Sequence, residues 1–157
     1  MGVWITDNLK LSIQCHNAYF KASRALSLIG RTISFKSKDV LIRLYKTLVR
    51  PHLEYRYCVS AWSPYYAKDR SLLERVQHRF TRMVLGLKNL SYEKRLEHLG
   101  LWTLEERRNH ADLLEVFKMY KGLSTVPFEH LLSLSTATNT RGHAARIAKH
   151  HCHLDLR

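Results

Sequence analysis

Apolar residues in this chain recur at intervals of three and four in one segment after another, and no segment alternates apolar with polar residues in the way a sheet requires. A helix has about 3.6 residues per turn, so this spacing gathers the apolar side chains on a stripe that must be buried against a neighbour. In LERVQHRFTRMVLGL the stripe is Leu73, Val76, Phe80, Met83, Val84 and Leu87, with Leu72 just before it. Upstream, Cys15, Ala18, Tyr19, Ala22, Ala25, Leu26 and Ile29 share a face, with Ser12 as the expected N-cap and Gly30 as the expected stop. Small alanines on that face imply close helix packing.

The remaining segments read in the same way. Ser37 opens a helix with Asp39 near its positive end and Val40, Leu41, Leu44, Tyr45 and Leu48 inward, and Pro51 is expected to interrupt it. The piece HLEYRYCVSAWSPYY has no clean period, and Pro64 marks a turn before the arginine-bearing helix, which Asp69 is expected to cap and Gly86 to end. Ser91 caps a short helix with Leu96 and Leu99 inward and Gly100 as its stop. Thr103 and Glu106 have the spacing of a capping box, and the helix behind them is expected to bury Leu104, Ala111, Leu114, Phe117 and Tyr120 and to stop at Gly122. The expected fold is all-α: an array of five or six helices over 9–134, a short strand within 1–8, and a mobile, basic, histidine-rich tail over 135–157.

A chain of 157 residues with 45% apolar residues suits one core, and a globule of this size buries roughly 70% of the surface its unfolded chain exposes. Charge is the outlier. Lysine and arginine number 26 against 13 acids, a formal net charge of +13, which favours polyanionic partners. Cys15, Cys58 and Cys152 lie far apart with no secretory signal, so a reducing, intracellular compartment, nuclear or cytoplasmic, is expected rather than a disulfide framework. No apolar run approaches the roughly 18 residues that span a bilayer. Met1, Gly2 and Thr6 satisfy the short myristoylation pattern, but Gly2, Val3, Trp4 and Ile5 also read as the end of a strand, and no membrane partner is expected.

Enzyme signatures are missing. The sequence holds no G-x-x-x-x-G-K loop, no G-x-S-x-G and no H-E-x-x-H, and Glu105 with Glu106 is explained by the start of a helix. His150, His151, Cys152 and His153, with His143 upstream, have zinc-binding donors, yet adjacent residues on a loop point in different directions, so neither a metal nor a cofactor is expected. Cys58 among Val59, Ala61 and Trp62 reads as an inert thiol rather than a nucleophile for His52. What stands out is the stripe of Arg75, Arg79 and Arg82 opposite the apolar one, with only Glu74 nearby as an acid. These three, with Lys88, Lys94, Arg95, Arg141, Arg146 and Lys149, are the candidate nucleic-acid contacts; for any one arginine a solvated face or a glutamate pair is the competing reading.

In the runs RPHLEYRYCVSAWSP, LLERVQHRFTRMVLGLKNLSYEKRLEHLGLWTLEERRNHADLLEVFKMYKGL and TRGHAARIAKHHCHLDLR the chain resembles the region after the palm in reverse transcriptases of non-LTR retrotransposons, the jockey-like and chicken-repeat-like LINE elements. The likeness covers nearly the whole chain and is most specific in its middle third, and Gly2, Val3 and Trp4 resemble the strand that comes after the polymerase motifs. It implies that the helices form a thumb and connecting region, with Arg75, Arg79 and Arg82 towards the phosphates of an RNA or DNA template and primer, and with the palm as a further partner.

The chain also departs from the family pattern. The family's catalytic Tyr-x-Asp-Asp motif has no counterpart among these residues, and the family pattern continues past Arg157, so the resemblance implies a truncated, non-catalytic derivative. Arg56 and Tyr57 look inserted between Glu54-Tyr55 and Cys58-Val59, and two extra helical residues would turn the downstream side chains by about 200°. Competing readings are a helical module that docks an acidic protein partner and an element relic without selected function.

Overall fold

The computed structural model describes residues 11–34, 37–54, 63–135 and 146–148. The expected N-terminal strand, the Arg56-Tyr57 insertion, Arg141, Lys149 and the His150–His153 cluster lie outside them. The described residues are helical in the main: α1 is Ser12–Thr32, α2 Lys38–Leu44, α3 Arg50–Glu54, α4 Ala67–Met83, α5 Tyr92–Leu99 and α6 Leu104–Tyr120. A π-helical segment, Tyr45–Val49, joins α2 to α3, and a short 3-10 turn covers Phe128–His130. The fold is all-α, as the periodicity predicts. The chain divides into two compact units, Met1–Asp112 and Leu113–Arg157.

In the first unit α1 packs most extensively against α4. Three contacts fix their relative direction. Ser12 at the start of α1 donates to Asp69 near the start of α4 at 2.7 Å, Arg79 donates to Ser27 further along at 3.2 Å, and Gly30 faces Met83 near both ends. The two helices therefore run parallel. Asp69 is the third residue of α4, 3% exposed, and binds the Ser12 hydroxyl rather than capping its own helix; Ser12 caps nothing either, because both side chains are used across the helix interface. Gly30 does not stop α1, which continues to Thr32; a Cβ there would lie 3.2 Å from the Met83 methyl, so the glycine admits a close neighbour.

Pro51 does not interrupt its helix. A proline lacks the N–H for the carbonyl four residues back and its ring crowds that carbonyl, so the chain needs a local change of winding to pass through it. Here a π turn lies just upstream: the Arg50 N–H bonds to the Tyr45 carbonyl, five residues back, and the Thr47 hydroxyl donates to the Arg43 carbonyl at 2.9 Å. Under-winding also changes which residues face inward. Leu41, Tyr45, Val49 and Leu53, spaced by four, are all fully buried, while Leu48 and Val40, expected inward, are 47% and 41% exposed.

The core of this unit is built from those four residues with Cys15, Ala18, Ala22 and Leu26 of α1, Leu73, Val76 and Phe80 of α4, and Leu96, Leu99 and Leu104. Tyr45 stacks on Phe80 with ring centroids 4.1 Å apart. The downstream caps match the sequence reading. Ser91 Oγ accepts from the Lys94 N–H, and α5 ends at Gly100 with φ +60°, where Leu101 N–H reaches the Leu96 carbonyl at 3.0 Å. Glu106 accepts from the Thr103 N–H at 2.9 Å while Thr103 Oγ1 accepts from the Glu106 N–H at 3.1 Å, a reciprocal capping box.

The second unit departs from expectation. Leu114, Phe117 and Tyr120 are 45%, 55% and 46% exposed rather than buried, and Phe128 is the one buried apolar side chain among the described residues of the unit. Nor is the chain beyond residue 134 wholly without pairing. Leu134 and Ile147 form an antiparallel bridge in which Ser135 N–H bonds to the Arg146 carbonyl and Ala148 N–H to the Ser133 carbonyl, both at 2.7 Å.

Candidate nucleic-acid interface

The amphipathic pattern of α4 puts Leu73, Val76 and Phe80 into the core and leaves Arg75, Arg79 and Arg82 exposed. These arginines lie at i, i+4 and i+7, on one stripe about 10 Å long. Among the described residues none of them is at ion-pair distance from a carboxylate; the basic partners in the ion pairs are Arg50, Arg70, Arg107 and Lys118 instead. The Arg79 bond to Ser27 places this stripe beside the outer face of α1, where Arg24 and Arg31 are also exposed, three residues before and four after Ser27. Sequence reading missed these two because it treated helices one at a time. That α1 contains no acid at all was visible in the sequence; that its outer face borders the arginines of α4 was not.

Neither helix exposes a carboxylate. Asp69 is buried against Ser12, and Glu74 turns inward, accepting from the Tyr92 hydroxyl and from the Leu104 N–H at 3.1 Å. Glu74 belongs to a polar network that ties α4 to its neighbours: Gln77 accepts from the Tyr45 hydroxyl at 2.6 Å and donates to the Trp102 carbonyl at 2.8 Å and to Tyr92 at 3.1 Å. Burial pushes the Glu74 carboxyl above the usual carboxylate range, against the lowering effect of the Tyr92 and Leu104 hydrogen bonds. Burial also raises the Tyr45 hydroxyl well above the usual tyrosine range, so it stays a donor. His78, stacked on Tyr92 at 3.5 Å between centroids, is lowered by burial and then by Arg95 and Arg82. The same burial raises the Cys15 thiol to about 11, so it is an inert core residue.

The other basic residues designated from the sequence fare unequally. Lys88, in the turn after α4, and Lys94, on α5, are exposed. Arg95 is corrected: it is 3% exposed, with its guanidinium carbon 5.7 Å from the centre of the Tyr92 ring, so it is not free to meet a phosphate. Successive helical residues point about 100° apart, so Lys94 is exposed while Arg95 beside it is buried. Arg146 is exposed in the bridged segment of the second unit. A cavity of about 320 Å³ lies among Arg70, Ser71, Glu74, Thr103, Glu105 and Arg108, where Arg70 pairs with Glu105 and the formal charges of the lining cancel. Among the described residues no group of three or more histidine, cysteine or acidic side chains is placed to hold a metal ion, and no helix is long and apolar enough to cross a membrane.

Comparison with family models, curated proteins and solved structures returns no match for this chain.

Proposed function

We propose that this chain is a thumb-like helical domain, of the kind found after the palm in non-LTR retrotransposon reverse transcriptases, that holds the phosphate backbone of RNA or DNA without regard to sequence and does not itself polymerise. The observation that carries the reading is the outer face shared by α1 and α4, where Arg24, Arg31, Arg75, Arg79 and Arg82 are exposed and no carboxylate is. A solvated helix face serves solubility equally well with mixed charges, so a face of one sign points to an anionic partner. Phosphates, unlike base edges, ask for charge without a fixed hydrogen-bond code. The 157 residues contain no Tyr-x-Asp-Asp, and two-metal phosphoryl chemistry needs converging carboxylates.

The test is to change Arg75, Arg79 and Arg82 together to glutamine and to measure binding to unrelated duplexes over a range of salt. Affinity should fall about equally for all duplexes, and the slope of log K against log salt should shrink by roughly 0.9 for each B-DNA phosphate that is no longer neutralised. Helicity should hold, because glutamine is a comparable helix former and the positions lie off the buried stripe. The matched control changes Arg141, Arg146 and Lys149 in the same way, removing equal formal charge elsewhere. Equal losses in both variants would reduce the effect to net charge. Normal binding by the α4 variant would remove the reading's support. The rival, a module for an acidic protein, draws on the exposed apolar residues of α6; it requires an acidic polypeptide to outcompete the duplexes.

A further inference from the structure

The basic face of α1 carries three exposed apolar residues that phosphate binding does not explain, Ile13, Phe20 and Leu28, and of these only Phe20 has a ring. Phe20 is 57% exposed, on the solvent side of a helix whose apolar face is already buried in the core. It lies one turn before Arg24 and one turn after His16, and Ser27 and Arg31 continue the same stripe. Its ring meets His16 at 6.5 Å and the edge of Tyr19 at 5.6 Å, contacts along its own helix that leave it open to solvent. An exposed aromatic ring amid cations, with no exposed acid on α1 or α4, is the combination that single-stranded nucleic acid engages: the cations follow the backbone and the ring takes the face of a base. A duplex offers no such face, because its bases are already stacked on each other.

We propose that α1 makes this surface a site for unpaired RNA or DNA, with Phe20 stacking one base and Arg24 and Arg31 holding phosphates of the same strand. This inference rests on the reading of the α1–α4 face as a nucleic-acid surface, and adds an unpaired strand on α1 to the duplex backbone that the arginines of α4 hold. Along the axis Phe20 and Arg24 are about 6 Å apart and Arg24 and Arg31 about 10 Å, so one strand laid along α1 reaches all three.

The test uses the full chain with a labelled oligouridylate and a blunt RNA duplex of equal length. Phe20→Ala should weaken oligouridylate binding about 5- to 150-fold, the range for removal of one base–aromatic stack, with no change in salt slope and little change for the duplex. Phe20→Trp should restore binding. Phe20→Leu keeps an apolar side chain without a ring and should behave like Phe20→Ala. Changing Arg24 and Arg31 to glutamine should instead reduce the single-strand salt slope by roughly 0.7 for each phosphate that is no longer neutralised. Wild-type affinity in the Phe20→Leu variant would overturn the stacking role, as would equal losses for strand and duplex in Phe20→Ala. Polyglutamate competing as well as oligouridylate would overturn it too, by showing a surface that recognises only negative charge. Failure of the unmodified chain to bind either nucleic acid would overturn the parent reading itself.

Discussion

At the scale of single residues, two titratable side chains of α4 tie the helix to its neighbours, Glu74 through Tyr92 and Leu104 and His78 through its stack on Tyr92. Glu74 and His78 are half-buried on the same helix and respond to pH in opposite senses. Glu74 has a raised folded pKa, so it binds its proton more tightly in the folded state; the stability it contributes is complete below its unfolded pKa and is lost as pH rises through the folded one. His78 has a lowered folded pKa, so its contribution is complete above its unfolded pKa and is lost as pH falls through the folded one. Glu74→Gln should therefore flatten the decline of stability with rising pH above the ordinary carboxylate range, and His78→Gln should reduce the loss on mild acidification. Urea midpoints across pH read both effects. Profiles that superimpose on the wild type would show that neither group titrates with folding.

At the scale of elements, helix boundaries are governed by local chemistry wherever it goes unchallenged. The capping box satisfies orphan N–H groups at the start of α6 with side chains three residues apart, and no tertiary contact is needed for it. Thr103→Ala should cost about 1 kcal/mol. Because Thr103 and Glu106 act reciprocally, the double variant with Glu106→Ala should cost less than the sum of the two singles, and a double-mutant cycle in denaturant measures that coupling. Strict additivity would mean that the box is not formed in solution. α2, the π segment and α3 show the opposite situation. There the proline signal for a break is overridden by a wider turn, which keeps Leu41, Tyr45, Val49 and Leu53 on one buried face.

At the scale of the whole molecule, a formal charge of +13 should make the free protein and its complexes respond to salt in opposite directions. Like charges on α1 and α4 repel one another, and that repulsion is strongest where the Debye length is long, roughly 30 Å at 0.01 M salt against 10 Å at 0.1 M. Raising salt through this range should raise the melting temperature of the free chain while it weakens binding to nucleic acid. A melting temperature that falls with added salt would mean that attractive ion pairs outweigh the repulsion.

The sequence by itself determined the helical class, the apolar stripes of α1 and α4, the caps at Ser91, Gly100, Thr103 and Gly122, and the exposure of Arg75, Arg79 and Arg82. Each depends on residues within about two turns of one another, so each is written locally. Tertiary structure decided the rest. It spent Ser12 and Asp69 on an interhelical bond, set Met83 close against Gly30 within a helix that runs on to Thr32, and buried Arg95 against Tyr92. It left Phe117 and Tyr120 half exposed where helical period alone would bury them, and it brought Arg24 and Arg31 beside the α4 stripe through the contact of Ser27 with Arg79. Helical period specifies which side chains share a face, but which faces meet, in what direction and at what register, is set only by packing between elements distant in the chain.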